Sequence, residues 1–426
     1  MTSERRQHLS INKWAARGVP TCILAATGYA VYVFVKKICI EYLIEPAENG
    51  YRLIKERVST AVPVLVFFFL LLVLYLSCYA RLMQTIAHNP GYTTRIPHSP
   101  PHNVERSKEK RARSILSCTR STVLDDTLYP VLNRTAIVQG KVPPPPGIEY
   151  FTRKDVFICD AQGLPLFCDI CNNYKPDRTH HCSEVDRCVR RMDHFCPWVG
   201  GIVSETNIKF FLQFLFYAAA WGIYTLGFSS WAISDRISKH NALILSTPRN
   251  ELFSRIDGQW IALIAMTGLL GGLFAGGMFL TTFYNAAVNR STNEQVVKRS
   301  YCIAVRLPQK FIEKHPSRLA NFPTITYPLN RSILNVTTSG RADFDEERNT
   351  YGREHQRTYA ILQSKPSENI WSVSITQNLK SVLGERYIDW LLPLKYPPCV
   401  RHDDPRSDYP LGPDFEHLCR EAGIRA

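Results

Sequence analysis

Charge is almost absent from four stretches of this 426-residue chain: Val19–Val35, Ala61–Ala80, Ile208–Ile233 and Trp260–Val288. A run of roughly 20 apolar residues is long enough to cross the hydrocarbon core of a bilayer. A single soluble globule is therefore excluded, although the mean hydropathy of the whole chain is only −0.14. Polar groups are scarce inside these stretches too. Gln213 stands nearly alone there, which argues against a transporter, whose spans carry polar or ionisable side chains along the transport path. No small-x-small cleavage site closes the first stretch, and Lys36-Lys37 follow it. That disfavours a cleaved signal peptide and favours a retained span.

Acidic side chains are in short supply: 37 Asp and Glu stand against 51 Lys and Arg, a formal net charge of +14. In a soluble protein this would suggest nucleic-acid binding. Here the basic residues sit in the connecting segments, including Arg5, Arg6, Lys13 and Arg17 before the first span and Arg106–Arg113 and Arg187–Arg191 after the second. The positive-inside rule accounts for them, and no nucleic-acid partner is expected. The expected fold is a polytopic α-helical membrane protein with four transmembrane helices and a cytosolic Cys-rich, zinc-binding domain between helices 2 and 3. Its expected divisions are a cytosolic N-terminus (1–18), spans at 19–40, 61–80, 208–233 and 260–288, and a variable insert (81–150). The Cys-rich domain takes 151–207 and a cytosolic tail 289–426. Both termini are then cytosolic.

The 13 cysteines are unevenly placed. Cys168, Cys171, Cys182, Cys188 and Cys196 cluster in the segment assigned to the cytosol, where clustering means metal or catalysis rather than disulfides. Val156–Cys159 and Leu164–Phe167 flank Asp160-Ala161-Gln162-Gly163 and look like a hairpin leading into the cluster. Residues 168–207 have little hydrophobic periodicity, so a metal must replace the missing core. Cys168-x2-Cys171-x9-His181-x6-Cys188 supplies the three thiolates and one imidazole of a closed, structural zinc site; the bland alternative is a set of buried free cysteines. Further on, Gly268, Gly272 and Gly276 form a four-residue row suited to close helix packing. The tail is mostly polar, but Asn378–Leu394 is too rich in Leu, Val, Tyr and Trp to be a bare linker. It reads as a segment docking on the membrane face or the Cys-rich module.

Asp193, His194 and Cys196 fall within four positions. An imidazole can take the proton of a thiol, and a carboxylate can fix the imidazole tautomer. Adjacency in sequence alone does not separate this from a Cys and His that merely pack.

Cys168–Phe211 resembles the cysteine-rich domain of the DHHC protein S-acyltransferases (palmitoyltransferases). The likeness runs through Lys175-Pro176-Asp177-Arg178, His180-His181-Cys182-Ser183, Met192–Val199 and Asn207-x2-Phe210-Phe211. Ser291-Thr292-Asn293-Glu294 is similar to the family's TTxE motif. Asn378, Val382-x-Gly384 and Trp390–Pro393 are similar to its C-terminal docking motif near 369–398, and Asn89-Pro90-Gly91 stands where the family has Asp-Pro-Gly. The Asp-His-aromatic-Cys form resembles divergent fungal members.

The resemblance implies a two-step acyl transfer. Cys196 attacks palmitoyl-CoA or a similar acyl-CoA and becomes an S-acyl intermediate, with His194 as base and Asp193 as its orienter. Cysteines of membrane-associated proteins then take the acyl group at the bilayer surface. A non-catalytic scaffold on the same fold is the alternative. The family's second zinc site would use positions that here read Cys182, Val185, Phe195 and Ile202. Three apolar replacements imply one zinc per chain and a hydrophobic cluster in place of the other. Trp221, 13 residues into the third span and roughly 20 Å deep at about 1.5 Å per residue, is a candidate floor for the acyl cavity; a packing or lipid-facing role is the alternative.

Overall fold

The computed structural model describes residues 3–46, 54–95, 134–244, 258–329 and 356–424. Among them, four helical segments are long and apolar enough to cross a membrane: Leu9–Ile44, Val58–His88, Ile208–Lys239 and Gly258–Ala287. The chain is an integral membrane protein. Helix α1 (Ser3–Tyr32) passes straight into a π-helical stretch, Val33–Ile44. The first helix is thus longer than the 19–40 read from hydropathy. Lys36-Lys37 do not stop it, because Lys37 pairs with Glu41 one turn on, at 3.0 Å, an arrangement that supports a helix. Ile38, Cys39, Tyr42 and Leu43 are buried around that pair.

Helix α2 (Val58–His88) ends at Asn89-Pro90-Gly91. Gly91 has φ +80°, and a Cβ there would lie 2.9 Å from Ser204 Oγ. Ser204 Oγ donates to the Pro90 carbonyl at 2.9 Å and Thr206 Oγ1 to that of Asn89 at 2.7 Å. The end of α2 is in this way stitched to the start of α3 (Ile208–Ile244). The fourth crossing comprises α4 (Gly258–Met266), a π-helical stretch Thr267–Ala275, and α5 (Gly276–Ala287). Aromatic rings fill the space between the helices: Phe34 stacks on Phe68 at 4.2 Å and Tyr75 on Trp221 at 5.8 Å.

The fourth crossing approaches α3 closely at Gly271 and Gly222, where a Cβ on either would lie 2.7 Å from the other's Cα. The row Gly268, Gly272, Gly276 flanks this contact, and added Cβ atoms there would find ordinary spacing of 3.4–3.9 Å. The i→i+5 turns of the π-helical stretch change which glycine faces α3.

Between α2 and α3 the chain forms short strands. β1 (Val156–Cys159) is followed by the ribbons β2 (Phe167–Cys168)–β3 (Asn173–Tyr174), β4 (His180–Cys182)–β5 (Arg187–Val189) and β6 (His194–Cys196)–β7 (Gly201–Val203). The hairpin expected at Asp160–Gly163 does turn, with Asp160 N–H donating to the Leu164 carbonyl at 2.8 Å. Its arms barely pair: only Cys159 and Pro165 bridge, and Pro165 has no N–H to extend the ladder. β1 joins the tail instead. It lies antiparallel to β8 (Cys302–Arg306), in a four-stranded sheet of order β1-β8-β10-β9 with β9 (Thr324–Tyr327) and β10 (Arg357–Gln363).

The tail is therefore far from a plain polar extension, and Ile303, Val305, Trp371 and Phe415 share a core with Val156 and Ile158. Residues 96–133 of the insert lie outside the described residues, but Ile137 and Ile148 of its later part pack with Phe151, Phe157 and Tyr174 of the Cys-rich domain. After α5 come α6 (Thr292–Val297), α7 (Ile375–Leu383), α8 (Tyr387–Leu391) and α9 (Pro413–Glu421). Asn378 Nδ2 donates to the Ala287 carbonyl at the end of α5, at 2.8 Å. Gln213 Nε2 and Tyr217 OH on α3 donate to the carbonyls of Asp389, Trp390 and Leu391 at 3.0–3.1 Å. Asn378–Leu394 thus rests against the ends of α3 and α5.

Candidate active site and metal centre

Pairing of β4 with β5 sets His181 directly opposite Cys188. Cys168 ends β2, and Cys171 follows in the turn to β3. His181 Nδ1 lies 3.4 Å from the sulfur of Cys171, 3.7 Å from that of Cys168 and 3.9 Å from that of Cys188. The four donor atoms all lie within 4.8 Å of one another. A tetrahedral zinc with ordinary Zn–S and Zn–N bonds gives edges of roughly 3.6–3.8 Å, so the donor set fits. His181 Nε2 faces the Asp186 carboxylate at 3.6 Å, just beyond hydrogen-bond reach. Bound there, zinc cross-links two ribbons that have almost no apolar core of their own.

Cys182, Val185, Phe195 and Ile202 also come together. Cys182, Val189 and Ile202 are buried, with Val185, Met192 and Phe195 packed against them. Phe195 and Ile202 are cross-strand partners in the β6–β7 ribbon.

That ribbon carries the reactive groups. Asp193 is buried, and its carboxylate accepts three hydrogen bonds: Thr292 N–H to Oδ1 at 2.8 Å, Thr292 Oγ1 to Oδ2 at 2.8 Å, and His194 Nδ1 to Oδ2 at 2.6 Å. Burial would push this carboxyl up, but the bonds from His194 and Thr292 hold it below the ordinary carboxylate range. Burial likewise disfavours a charged His194. The Asp193 bond and the adjoining Cys196 thiol outweigh it and raise the imidazole from its usual 6.5 to about 10. With Nδ1 held by Asp193, Nε2 is buried and makes no hydrogen bond, leaving it available to the thiol.

Thr292 is fixed in turn by a capping box. Ser291 Oγ accepts from Glu294 N–H at 3.2 Å, and Glu294 Oε2 accepts from Ser291 N–H at 2.8 Å. Glu294 also receives Nε and Nη2 of the fully buried Arg178, at 2.7 and 2.5 Å. The Ser-x-x-Glu spacing is a legible helix-start signal; nothing local in the sequence pairs Thr292 with Asp193, which lies 99 positions away.

Cys196 is 2% exposed. It opens on an apolar cavity between the helices, walled by Trp198, Phe211, Phe214, Phe274, Tyr75 and Trp221. Trp221 stacks on Tyr75 and touches Phe68.

Fold and site together define a membrane-embedded protein whose Cys-rich, zinc-fitting domain presents a buried thiol, imidazole and carboxylate at an apolar cavity between the helices. Residues 162–299 match the family described as DHHC palmitoyltransferase. The chain is 35% identical to palmitoyltransferase pfa5 of Emericella nidulans, covering 98% of this chain and 87% of that protein. It is 34% identical to palmitoyltransferase pfa5 of Aspergillus fumigatus, over 97% of this chain and 91% of the relative. A 69-residue stretch, 16% of this chain, is 48% identical to human palmitoyltransferase ZDHHC15, covering 20% of that protein. The chain belongs to the DHHC palmitoyltransferase family.

Proposed function

We propose that this protein S-palmitoyltransferase works through a covalent intermediate on Cys196, with palmitoyl-CoA or a similar acyl-CoA as donor. The observation that carries the reading is the Asp193–His194 pair beside the one thiol among the cavity-lining residues. Before the donor binds, the Cys196 proton already rests on His194 Nε2. The thiolate attacks the acyl carbonyl, a C–S bond forms to Cys196, and the C–S bond to CoA breaks. His194 returns the proton to the departing CoA sulfur. In the second half a substrate cysteine repeats the exchange, and Cys196 leaves as the thiol. Both halves exchange one thioester for another, so one covalent site serves for both. The acyl chain lies in the apolar cavity, with Trp221 limiting its length. Acceptors are cysteines of membrane-associated proteins. The Cys-rich domain and both termini lie on the cytosolic side, where the Lys/Arg-rich segments belong. One structural zinc is held by Cys168, Cys171, His181 and Cys188. The cluster of Val185, Phe195 and Ile202 around Cys182 occupies the position of a second.

Purified protein given labelled palmitoyl-CoA and a cysteine peptide tests the order of events. Label is expected first on the protein and then on the peptide; peptide labelling without a labelled protein would exclude the intermediate. The Asp193–His194 bond gives a further expectation. His194 is held protonated up to about pH 10 and acts as the acid for the CoA sulfur, so acylation is lost as pH rises through that value. Asp193→Asn removes the partner that raises His194, moves this alkaline limb to lower pH and slows acylation by about 10²-fold or more. A limb that stays in place contradicts the pairing. Trp221→Ala is expected to shift preference from palmitoyl-CoA toward stearoyl-CoA in competition assays, since the deep wall recedes. An unchanged preference removes Trp221 from chain selection.

A further inference from the structure

Two rings from the last part of the chain, beyond the family-matched residues 162–299, lie on Arg178: Trp371, at 4.9 Å, and Tyr409, which also reaches the β7 side of the β6–β7 ribbon. Tyr409 is 2% exposed. Its ring sits 5.2 Å from the Arg178 guanidinium, and its hydroxyl donates to Glu205 Oε2 at 2.5 Å. These two contacts reach the two strands at the open end of the ribbon, where His194 pairs with Val203. Arg178 grips Glu294, which closes the capping box that presents Thr292 to Asp193 on the β6 side. Glu205 stands two residues past β7, in the turn that holds the end of α2. Glu205 also receives His402 Nε2 at 3.1 Å and lies 3.5 Å from Arg190.

We propose that Tyr409 is a positioning residue for acyl transfer. It touches no reacting atom. By bracing both strands at the open end of the β6–β7 ribbon at once, it keeps the Asp193–His194 bond aligned on Cys196, where misplacement of about 1 Å can cost about 10²-fold in rate. The segment that carries Tyr409 has anchors of its own. Val156 N–H donates to the Arg406 carbonyl at 2.8 Å and Asp155 N–H to that of Pro405 at 2.9 Å. Asp408 pairs with Arg190 at 3.1 Å and Lys154 at 3.4 Å. A change at Tyr409 therefore leaves the tail attached while removing the one side chain that ties Arg178 to Glu205.

The test uses the full chain in lipid nanodiscs, with single-turnover acylation by palmitoyl-CoA followed across pH. Tyr409→Ala is expected to acylate about 30-fold more slowly, with zinc content and KM for palmitoyl-CoA at wild-type levels. Its alkaline limb moves to lower pH, because Asp193 no longer sits squarely on His194. Tyr409→Phe keeps the ring on Arg178 and loses only the bond to Glu205, so its rate falls about threefold. A wild-type rate in Tyr409→Ala overturns the proposal. So does a loss of rate that follows lost zinc or lost yield with the pH limb unmoved, which is what a purely structural role gives. If Tyr409→Ala fails to fold, Tyr409→Phe and Glu205→Gln decide: slower acylation at normal zinc content supports the proposal, and wild-type rates in both overturn it. The inference rests on Cys196 as the acyl carrier. Loss of labelling in Cys196→Ser with wild-type Tyr409 variants rejects this inference alone; persistent labelling in Cys196→Ser rejects the underlying reading.

Discussion

Cys196→Ser is expected to carry no hydroxylamine-sensitive label after exposure to a fatty-acyl probe, under conditions in which the wild-type protein labels within one turnover. A hydroxyl at that position is a far weaker nucleophile, and any oxygen ester it formed would resist hydroxylamine. The loss should be at least roughly 10³-fold in rate. His194→Ala provides the contrast. It removes the proton carrier and keeps the sulfur, so labelling slows by roughly 10²–10⁴-fold but remains hydroxylamine-sensitive. The pair of results separates the atom that holds the acyl group from the atom that moves the proton. Cys22 is the informative control, because it is exposed on the same helix as the cavity residues Ile23, Ala26 and Thr27. If Cys196→Ser still labels at the wild-type level and Cys22→Ser does not, the acyl carrier has been misassigned.

What the sequence made legible follows from how local each signal is. Spans are local: an uncharged run of sufficient length decides the matter, and only the ends moved, as when the Lys37–Glu41 pair let the first helix run on to Ile44. The zinc donors were legible because Cys-x2-Cys spacing and the two-residue ribbons keep them within one short segment. The reactive tetrad was visible for the same reason. Its geometry was not, since Asp193 is oriented by Thr292 and, through Glu294, by Arg178. Those partners lie about a hundred positions apart and meet only once α5 returns the chain to the Cys-rich domain. The sheet was hidden for a related reason. β8 and β10 are short apolar runs whose partners are remote, and β1 looked like half of a local hairpin until Pro165 denied it a ladder. A polar average over the tail concealed Trp371, Tyr409 and Phe415, which supply much of its core.

Metal analysis of the wild-type protein is expected to give one zinc per chain, and the variant Val185→Cys, Phe195→His, Ile202→Cys is expected to give two. The argument turns on what surrounds Cys182. Val185, Phe195 and Ile202 pack with it in one apolar cluster, and the Phe195–Ile202 cross-strand pair brings two of the three replaced side chains together without a metal. Each buried apolar side chain stabilises by roughly 1.5–3 kcal/mol, whereas a structural zinc supplies about 10–16 kcal/mol of apparent binding energy. The triple variant exchanges the first for the second and should resist proteolysis better than its parent when zinc is present. Phe195→His alone does the reverse. It places an imidazole among Val185, Met192 and Ile202 without enough ligands for a metal, at a cost of roughly 1–3 kcal/mol for the unpaired polar group. At the intact site the effect is larger still. Cys171→Ser leaves three donors where the β2–β3 and β4–β5 ribbons meet through the buried cluster of Cys168, Cys171 and Cys188, so the Cys-rich domain is expected to lose its zinc, become protease-sensitive and cease to acylate. Two zincs in the wild-type protein, or one in the triple variant, would show that the apolar cluster is not the replacement for a metal site.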